Sequence, residues 1–279
     1  MKKFGILNPR LFMAVLLLLF VIGCNNSSST VSPATGLAGT LTEAGSTTVQ
    51  PLAEKLAQAF EEINPNVKIE IQGGGSSVGV RSTSDGVVDI GAISRELQPN
   101  EPALVTTLIA LDGVAIVVNP NNPVSNLSTE QLRDIYAGTI VNWKEVGGND
   151  EEIIIVSRED GSGTRTVFEK NIMGKTLITN EAIFMPANGI IKTTVMQARN
   201  AIGYISFGYA DNNVKLLSVD GIACSSDNIL DGTYPVSRNL YFVTRESPTG
   251  LVKAFMDFII SADGQKVVIE QGFVPLQLG

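Results

Sequence analysis

The chain begins with basic residues and a short apolar run, and then continues as alternating strand-like and helix-like segments. The apolar run LFMAVLLLLFVI, residues 11–22, follows Lys2, Lys3 and Arg10. Its 12 residues are fewer than the roughly 20 that cross a bilayer as a helix, and they match the length of a signal-peptide core. The polar stretch NNSSSTVSPATG follows Cys24 and has too few apolar residues to build a core. We therefore expect the folded part of the chain to begin near residue 40.

Beyond residue 40, strand and helix periods alternate. Apolar or period-two segments predict strands at TLTEAG, VKIEIQ, VVDIGAIS, GVAIVVNP, EIIIVS and AIGYISF. A spacing of three and four residues predicts helices whose apolar faces carry Leu52, Leu56, Phe60 and Ile63; Leu132, Ile135 and Tyr136; and Leu251, Phe255, Phe258 and Ile259. Pro51 suits the first turn of the first of these helices, and Ser128 to Gln131 has the spacing of a capping box. This alternation predicts an α/β fold in layers.

One unit occurs three times: a strand, a loop of Gly, Ser and Thr, and the start of a helix. The three copies are EAGSTTVQPL, IQGGGSSVGV and SREDGSGTRTVF. Each would present unpaired amides and hydroxyls at the positive end of a helix dipole. One such loop alone is an ordinary helix cap, and an arginine beside it is an ordinary surface residue. Three such loops, with Arg95, Arg158 and Arg165 on or beside them, indicate convergence on one small anion.

Charge and histidine content narrow the function further. The formal net charge is −8, and losing residues 1–23 would leave the chain more acidic, which argues against nucleic acid as a partner. The chain has no histidine, so it cannot form a Ser-His-Asp triad, a Cys-His pair or a His-based zinc site. The G-x-S-x-G match at residues 75–79 is then a chance match, and Glu169 stands where a Walker A motif needs its first glycine. We expect no metal and no cofactor.

The two cysteines have different expected roles. The ending VIGC, residues 21–24, resembles the lipobox of secreted lipoproteins, in which Cys24 becomes the lipidated first residue. The alternative is a plain signal peptide with an incidental cysteine. If Cys24 carries lipid, Cys224 has no partner for a disulfide, and we expect it to be a small buried apolar residue.

Five motifs follow one another from about Thr40 to the C-terminus: GSTTVQP, GGGSSVG, VDIGAISRE, SREDGSGTR and AIGYISF. In order and spacing they resemble the phosphate-binding proteins of ABC-type phosphate importers, within the type II periplasmic solute-binding proteins. The resemblance implies an α/β fold of two domains with the ligand cleft between them. The implied parts are a lipoprotein signal peptide at 1–23, a lipidated cysteine and flexible tether at 24–39, domain 1 at 40–118 plus 236–279, and domain 2 at 119–235. The chain would cross between the domains near residues 112–118 and 234–242.

The resemblance also implies which residues hold phosphate. These are Ser46, Thr47, Thr48, Ser76, Ser94, Arg95, Arg158, Ser162, Gly163 and Thr164. In some members of the family an aspartate at the position of Ser94 accepts the proton of hydrogen phosphate. Because the residue here is serine, a site without an acceptor could lose the distinction between phosphate and sulfate. Asp160 or Glu96 could take the role of acceptor, and the alternative is that each is a solvated loop acid.

The function implied is that of a non-enzymatic lipoprotein outside the membrane. It would capture inorganic phosphate in the cleft and deliver it to the transmembrane subunits of an ABC permease, as a monomer anchored to the cell membrane through Cys24. Three alternatives stay open: a binder of another tetrahedral oxyanion such as sulfate or molybdate, an exported phosphatase, and a structural or adhesive surface protein. A phosphatase would need a nucleophile with a base, or metal ligands, and the sequence offers no evident set.

Overall fold

The strands and helices of the chain are known from a computed structural model, which describes residues 36–277. The predicted signal peptide, Cys24 and most of the predicted tether lie outside the described residues. No helix of residues 36–277 combines the length and the apolar character that a membrane crossing requires.

Ten strands and eight α-helices alternate along the described chain. The strands are β1 (Ala38–Gly45), β2 (Asn66–Gly73), β3 (Ile90–Ile93), β4 (Val105–Val118), β5 (Asn126–Leu127), β6 (Ile154–Arg158), β7 (Ile183–Met185), β8 (Ala201–Ser206), β9 (Lys215–Val219) and β10 (Ser237–Thr244). The helices are α1 (Gln50–Ile63), α2 (Ser76–Ser84), α3 (Thr129–Ala137), α4 (Gly163–Phe168), α5 (Asn188–Gln197), α6 (Ser226–Leu230), α7 (Gly250–Ile259) and α8 (Ala262–Glu270). Short 3₁₀ helices lie at Trp143–Val146 and Phe207–Tyr209, and a π-helical turn, Glu169–Met173, extends α4.

A mixed sheet runs through the molecule in the order β2-β1-β3-β10-β4-β8-β6-β7. Strand β1 is parallel to β2 and β3, whereas β10 is antiparallel to β3 and β4. The long strand β4 pairs with β10 along its first part and with β8 and β9 along its last part. Strand β6 is parallel to both β7 and β8. Because β4 pairs with β10 on one side and with β8 on the other, it connects the β1–β3 side of the sheet to the β6–β8 side.

The largest apolar clusters lie on the two sides of β4. On one side, α1, α7 and α8 pack against β1, β3 and β10 around Phe60, Phe242 and Phe255. On the other side, the core is built around Trp143 and three aromatic rings, of which those of Phe168 and Tyr204 are stacked with centroids 4.2 Å apart. Strands β4 and β10 contain the two predicted chain crossings. The division into domains at 40–118 plus 236–279 and 119–235 stays a prediction, because the chain from Gly36 onward forms one unit by its contacts.

Helix ends follow the local sequence signals. Helix α1 has Pro51 in its first turn, and α3 has the predicted capping box, in which Gln131 N donates to Ser128 Oγ at 3.0 Å and Ser128 N to Gln131 Oε1 at 2.9 Å. The placement of Ile63 on the buried face of α1 was wrong: its side chain is 66% exposed, since α1 ends at this residue.

The thiol of Cys224 is buried and unpaired within the described chain, as expected. Burial, together with the nearby carboxylate of Asp112, raises the pKa of Cys224 to about 12. The thiol is therefore protonated at neutral pH and fills space like a small apolar side chain.

A buried glutamate lies within the sheet. Glu43 on β1 is 2% exposed, and its Oε2 atom has no hydrogen-bond partner. Burial, and next the charge of Glu54, raises the pKa of Glu43 well above its ordinary value. The folded state therefore favours the protonated, neutral form of this side chain.

We expect Glu43→Gln to raise the free energy of unfolding at pH 7. In the unfolded chain this carboxyl ionises above about pH 4.3, whereas the folded chain keeps the proton, so the free energy of unfolding falls by about 1.4 kcal/mol per pH unit between the two pKa values. The glutamine amide does not ionise, so the variant loses this slope. Urea denaturation at about pH 5 and about pH 7 measures the difference.

Glu270→Gln at an exposed position is the matched control and should change little at either pH. If Glu43→Gln gave the same gain over the wild type at both pH values, the assignment of a neutral Glu43 would be wrong.

Candidate functional site

The three Gly/Ser/Thr loops meet at one place in the fold. They follow β1, β2 and β6 and lead into α1, α2 and α4. The first two loops are joined by Gly75 N donating to Gly45 O at 2.8 Å. The second and third are joined by Ser77 N donating to Gly161 O at 3.2 Å. The three loops are far apart in sequence but in contact in space, and this contact supports the hypothesis of one shared site.

The first loop presents its backbone and hydroxyls toward the third. Ser46 and Thr48 are buried, and Thr48 N donates to Ser46 Oγ at 3.2 Å. The hydroxyl of Thr48 lies 3.0 Å from that of Thr164 at the start of α4. Thr47, between them, is half-buried and its Oγ1 accepts a hydrogen bond from Arg158.

The second loop brings two serine hydroxyls together. Ser76 is the first residue of α2, and its Oγ accepts from Ser94 N at 3.1 Å. The hydroxyls of Ser76 and Ser94 are 3.3 Å apart, and either one can be the donor. Both lie against Gly163, where an added Cβ would come within 2.5 Å of Ser94 Oγ and closer still to Ser76 Oγ. Glycine at 163 is therefore required for the second and third loops to approach this closely.

The third loop caps α4. Ser162 is the N-cap residue, and its Oγ accepts from Arg165 N at 3.3 Å. The amides of Gly163 and Thr164 come next, and neither has a carbonyl one turn earlier within the helix. Both residues are buried, so these two amides point into the protein without a backbone acceptor in the described chain.

Arg158, the last residue of β6, supplies the charge. Its Nη2 donates to Thr47 Oγ1 at 3.0 Å and to Pro186 O at 2.8 Å, and its Nε donates to Met185 O at 3.2 Å. Its Nη1 is buried and has no partner among residues 36–277. Burial lowers the pKa of Arg158 to about 10, with Arg238 adding to the decrease, and the side chain stays charged at neutral pH.

A second buried arginine was missed by the sequence analysis. Arg238 on β10 pairs with Asp112 on β4, with Nε and Nη2 at 2.8 and 2.7 Å from Asp112 Oδ2. Its Nη1 donates to Thr164 Oγ1 at 2.9 Å, and its Nη2 reaches Thr48 Oγ1 at 3.3 Å. Strand β10 lies outside the five motifs, so nothing local pointed to Arg238. A signal did exist for Asp112, a charged residue just before the apolar run GVAIVV.

Two further side chains hold the first loop. Asn188, the first residue of α5, donates from Nδ2 to Thr48 Oγ1 at 2.9 Å. Tyr209 donates from its hydroxyl to Thr47 O at 2.6 Å. Neither was predicted, because each belongs to a segment more than 100 residues away in sequence from the loop that it contacts.

Arg95 is not part of this donor set. It is buried, but its Nη2 and Nη1 pair with the carboxylate of Glu101 at 2.6 and 2.8 Å, and Nη2 also reaches Ser77 Oγ at 3.2 Å. Its charge is therefore neutralised by Glu101. Arg95 as an anion ligand therefore stays a prediction that this pairing does not support, although both Ser94 and Arg95 contact residues of the second loop.

Neither predicted proton acceptor reaches the buried hydroxyls. The Asp160 side chain is 96% exposed and pairs with Arg165 at 2.8 Å. Glu96 is exposed and accepts from the hydroxyl of Tyr241 at 2.5 Å. Arg165 itself is shared between Asp160 and Glu169, so it also lies outside the donor set.

A cavity of about 390 Å³ opens beside these donors. Its lining includes Thr47, Arg158 and Ser162, together with the three consecutive glycines 73–75. Cavities of about 810 and 640 Å³ are larger, but the first shares no residue with the predicted ligands and the second shares only Arg95, so cavity volume does not single out this site. The smaller cavity is lined by the unpaired charge of Arg158 and the hydroxyl-bearing Thr47 and Ser162, and also by the acidic residues Glu159 and Asp160. A cation with neutral donors is the chemistry of an anion receptor.

Comparison with known proteins agrees with this geometry. The family described as PBP superfamily domain matches residues 30–263. The phosphate-binding protein PstS of Bacillus subtilis is 37% identical over 244 residues, which cover 85% of this chain and 81% of the relative.

Two crystal structures extend the comparison to the fold. A protein of Clostridium perfringens, assigned as a phosphate ABC transporter substrate-binding protein and crystallised with bound phosphate, is 42% identical, with a TM-score of 0.83 over 86% of this chain and 100% of the other. An ABC-type phosphate transport receptor of Vibrio cholerae is 37% identical, with a TM-score of 0.73 over 85% of this chain and 100% of the other. The expected α/β periplasmic-binding-protein fold is thereby confirmed, and the chain belongs to the PstS family of phosphate-binding proteins.

Proposed function

We propose that this protein binds inorganic phosphate between its three Gly/Ser/Thr loops and delivers it to the transmembrane subunits of an ABC-type importer. One observation carries the proposal: Arg158 is a buried cation with an unpartnered nitrogen and no carboxylate within ion-pair distance in the described chain. Burying a charge without a counter-charge costs several kcal/mol. A site that retains such a charge is therefore expected to bind an anion that neutralises it.

The other proposed ligands add neutral donors to this charge. They are the hydroxyls and amides of Ser46, Thr47, Thr48, Ser76, Ser94, Ser162, Gly163 and Thr164, with Arg158 as the charged member. Hydrogen bonds to a charged group contribute about 1.5–3 kcal/mol each. Several such bonds together offset the cost of removing water from the anion.

Closure of the cleft would couple the two sides of the molecule. We propose that the first and second loops belong to domain 1, at 40–118 plus 236–279, and that the third loop belongs to domain 2, at 119–235. The contacts between Thr48 and Thr164 and between Ser77 and Gly161 then join the two domains. An anion bonded to both sides favours the closed state, with β4 and β10 as the hinge strands.

The proposal places the protein outside the cytoplasmic membrane. Cys24, within the VIGC sequence, would carry the lipid that anchors the chain, and residues 25–37 would serve as the tether. The predicted tether end at residue 39 was wrong by two residues, because Ala38 and Gly39 pair with β2 as part of β1. We propose that the anchored protein acts as a monomer.

A second candidate is a binder of a different tetrahedral oxyanion, such as sulfate or molybdate. One observation favours it: the carboxylates of Asp160 and Glu96 are engaged elsewhere and do not reach the buried hydroxyls. Phosphate carries a proton at neutral pH and sulfate does not, so a site without a carboxylate acceptor distinguishes the two less strongly.

We expect Arg158→Ala to weaken phosphate binding at least about tenfold, since it removes one charge-assisted hydrogen bond and the only uncompensated charge among the proposed ligands. Calorimetric titration of protein freed of ligand by unfolding and refolding in phosphate-free buffer measures the change. Arg199→Ala, at a 66% exposed side chain, is the matched control and should bind as the wild type does.

The same titration with arsenate, sulfate and molybdate separates the two candidates. Binding of phosphate and arsenate without sulfate supports the phosphate importer. Equal binding of sulfate supports the general oxyanion binder. Unchanged phosphate affinity in Arg158→Ala would contradict the placement of the anion at this arginine.

We expect Gly163→Ala to weaken phosphate binding. The loss of affinity, divided by the loss of stability of the same variant, should be larger for Gly163→Ala than for Arg158→Ala. An added Cβ would overlap the hydroxyls of Ser76 and Ser94, so the second and third loops would have to separate. Gly189→Ala is the control, because nothing lies within 4 Å of the added Cβ there. Wild-type affinity in Gly163→Ala would show that binding does not need the close approach of these loops.

We expect Cys24→Ser to release the protein from the membrane fraction of the cells that produce it, because the serine hydroxyl does not replace the lipidated thiol. Fractionation of those cells, with Cys224→Ser as the control cysteine variant, measures the distribution. A Cys24→Ser protein that stays in the membrane fraction would contradict the anchor.

A further inference from the structure

Arg238 makes more contacts than its ion pair requires. Its Nε and Nη2 atoms donate to Asp112. Its Nη1 also donates to the hydroxyl of Thr164 and its Nη2 to that of Thr48, on opposite sides of the proposed cleft. Arg238 and Asp112 are both buried, with side chains 2% and 0% exposed. The ion pair thus fixes a guanidinium whose remaining hydrogens point at two proposed ligands.

Counting lone pairs gives the direction of every hydrogen bond in this group. A hydroxyl donates one hydrogen and accepts two, whereas guanidinium and amide N–H groups only donate. Thr48 Oγ1 accepts from Asn188 Nδ2 at 2.9 Å and from Arg238 Nη2 at 3.3 Å, so both its lone pairs are used. Its own hydrogen therefore goes to Thr164 Oγ1, 3.0 Å away.

The orientation of Asn188 is fixed by a backbone amide. Ser206 N donates to Asn188 Oδ1 at 3.1 Å, and a backbone amide cannot accept, so the Nδ2 atom must be the one that faces Thr48. The donor to Thr48 is thereby assigned by the hydrogen-bond network.

Thr164 is left with a hydrogen and no free lone pair. Its Oγ1 accepts from Thr48 and from Arg238 Nη1 at 2.9 Å. The hydroxyl can then only donate, and its hydrogen has no protein acceptor among residues 36–277, which leaves it available to the proposed anion. Ser76 Oγ accepts from Ser94 N, and either serine hydroxyl can donate to the other, so this pair still has lone pairs that can accept a hydrogen bond.

We propose that Arg238, held by Asp112, is a positioning residue that makes Thr164 an obligate donor and so restricts this side of the site to unprotonated oxyanion oxygens. The inference rests on the proposed phosphate function and adds which ionic form is selected. Hydrogen phosphate can turn its single P–OH toward Ser76 and Ser94. Dihydrogen phosphate has a second P–OH, and a P–OH that faces Thr164 would meet a donor with no lone pair to offer.

Four ionisable groups near the Arg238–Asp112 pair keep one protonation state over the range tested. Arg158, on β6, has a pKa of about 10, and Cys224 and Tyr209 have pKa values of about 12. Burial holds the pKa of Tyr234 well above its ordinary value. In this part of the site, the change in phosphate affinity between about pH 5.5 and pH 8 therefore follows the second ionisation of phosphate itself.

The test compares phosphate affinity at about pH 5.5 and about pH 8 by calorimetry. In the wild type we expect total phosphate to bind about tenfold or more tightly at the higher pH. Arg238→Lys keeps a positive charge opposite Asp112, but one ammonium group cannot donate to Asp112, Thr164 and Thr48 in this planar arrangement. Thr164 then regains a lone pair, and the ratio should fall below about threefold.

A second pair of variants changes Thr164, the last residue in this series of hydrogen bonds, and leaves the Arg238–Asp112 ion pair intact. Thr164→Val removes the obligate donor, so affinity at the higher pH should fall and the ratio should shrink as in Arg238→Lys. Thr164→Ser keeps the hydroxyl and should keep the wild-type ratio. A purely structural role of either residue would lower affinity at both pH values and leave their ratio unchanged.

The outcomes separate this inference from the function on which it rests. Wild-type phosphate binding with an unchanged ratio in Arg238→Lys or in Thr164→Val would overturn the role of Arg238 alone. Absence of phosphate binding by the wild type at both pH values would overturn the proposed function together with it.

Discussion

The uncompensated charge of Arg158 is the constraint around which the site is organised. Two buried arginines, Arg158 and Arg238, each reach a threonine of the first loop, and of these two only Arg238 has a carboxylate partner. The Arg238–Asp112 pair adds no net charge, so the local potential comes from Arg158 and from the amide dipoles of the loops. A chain with an overall charge of −8 can hold an anion in this way, because a buried site responds to the donors that line it more than to the distant surface.

The fold makes this arrangement possible by bringing together the ends of separate strands. Strands β1 and β2 are parallel neighbours, so their loops emerge side by side. The loop after β6 comes from the other side of the same sheet, with β3, β10, β4 and β8 between β1 and β6. Asp112 and Arg238 lie on β4 and β10, so the ion pair ties the middle of the sheet to the hydroxyls on both of its sides.

Close approach of backbone to backbone is a second requirement. Gly75 has a φ of 94°, in the left-handed region that favours glycine, and precedes α2 directly. Gly163 has no positive φ but leaves space for the hydroxyls of Ser76 and Ser94. The glycines of the motifs therefore serve two different physical purposes, one conformational and one steric, although in the sequence they look alike.

The sequence by itself determined the local elements and the three loops, because hydrophobic period, helix caps and turn residues act over a few neighbouring positions. It predicted β1, α1, α3, β6 and β8, and it selected Thr48, Ser76, Arg158 and Thr164. It placed Ile63 in the core and Arg95 at the anion, since periodicity and motif adjacency do not tell where a helix ends or which carboxylate neutralises a charge. Arg238, Asn188 and Tyr209 were decided only by the tertiary structure. Their partners are more than 70 residues away along the chain, and such pairings arise from strand order and packing, which no local pattern encodes.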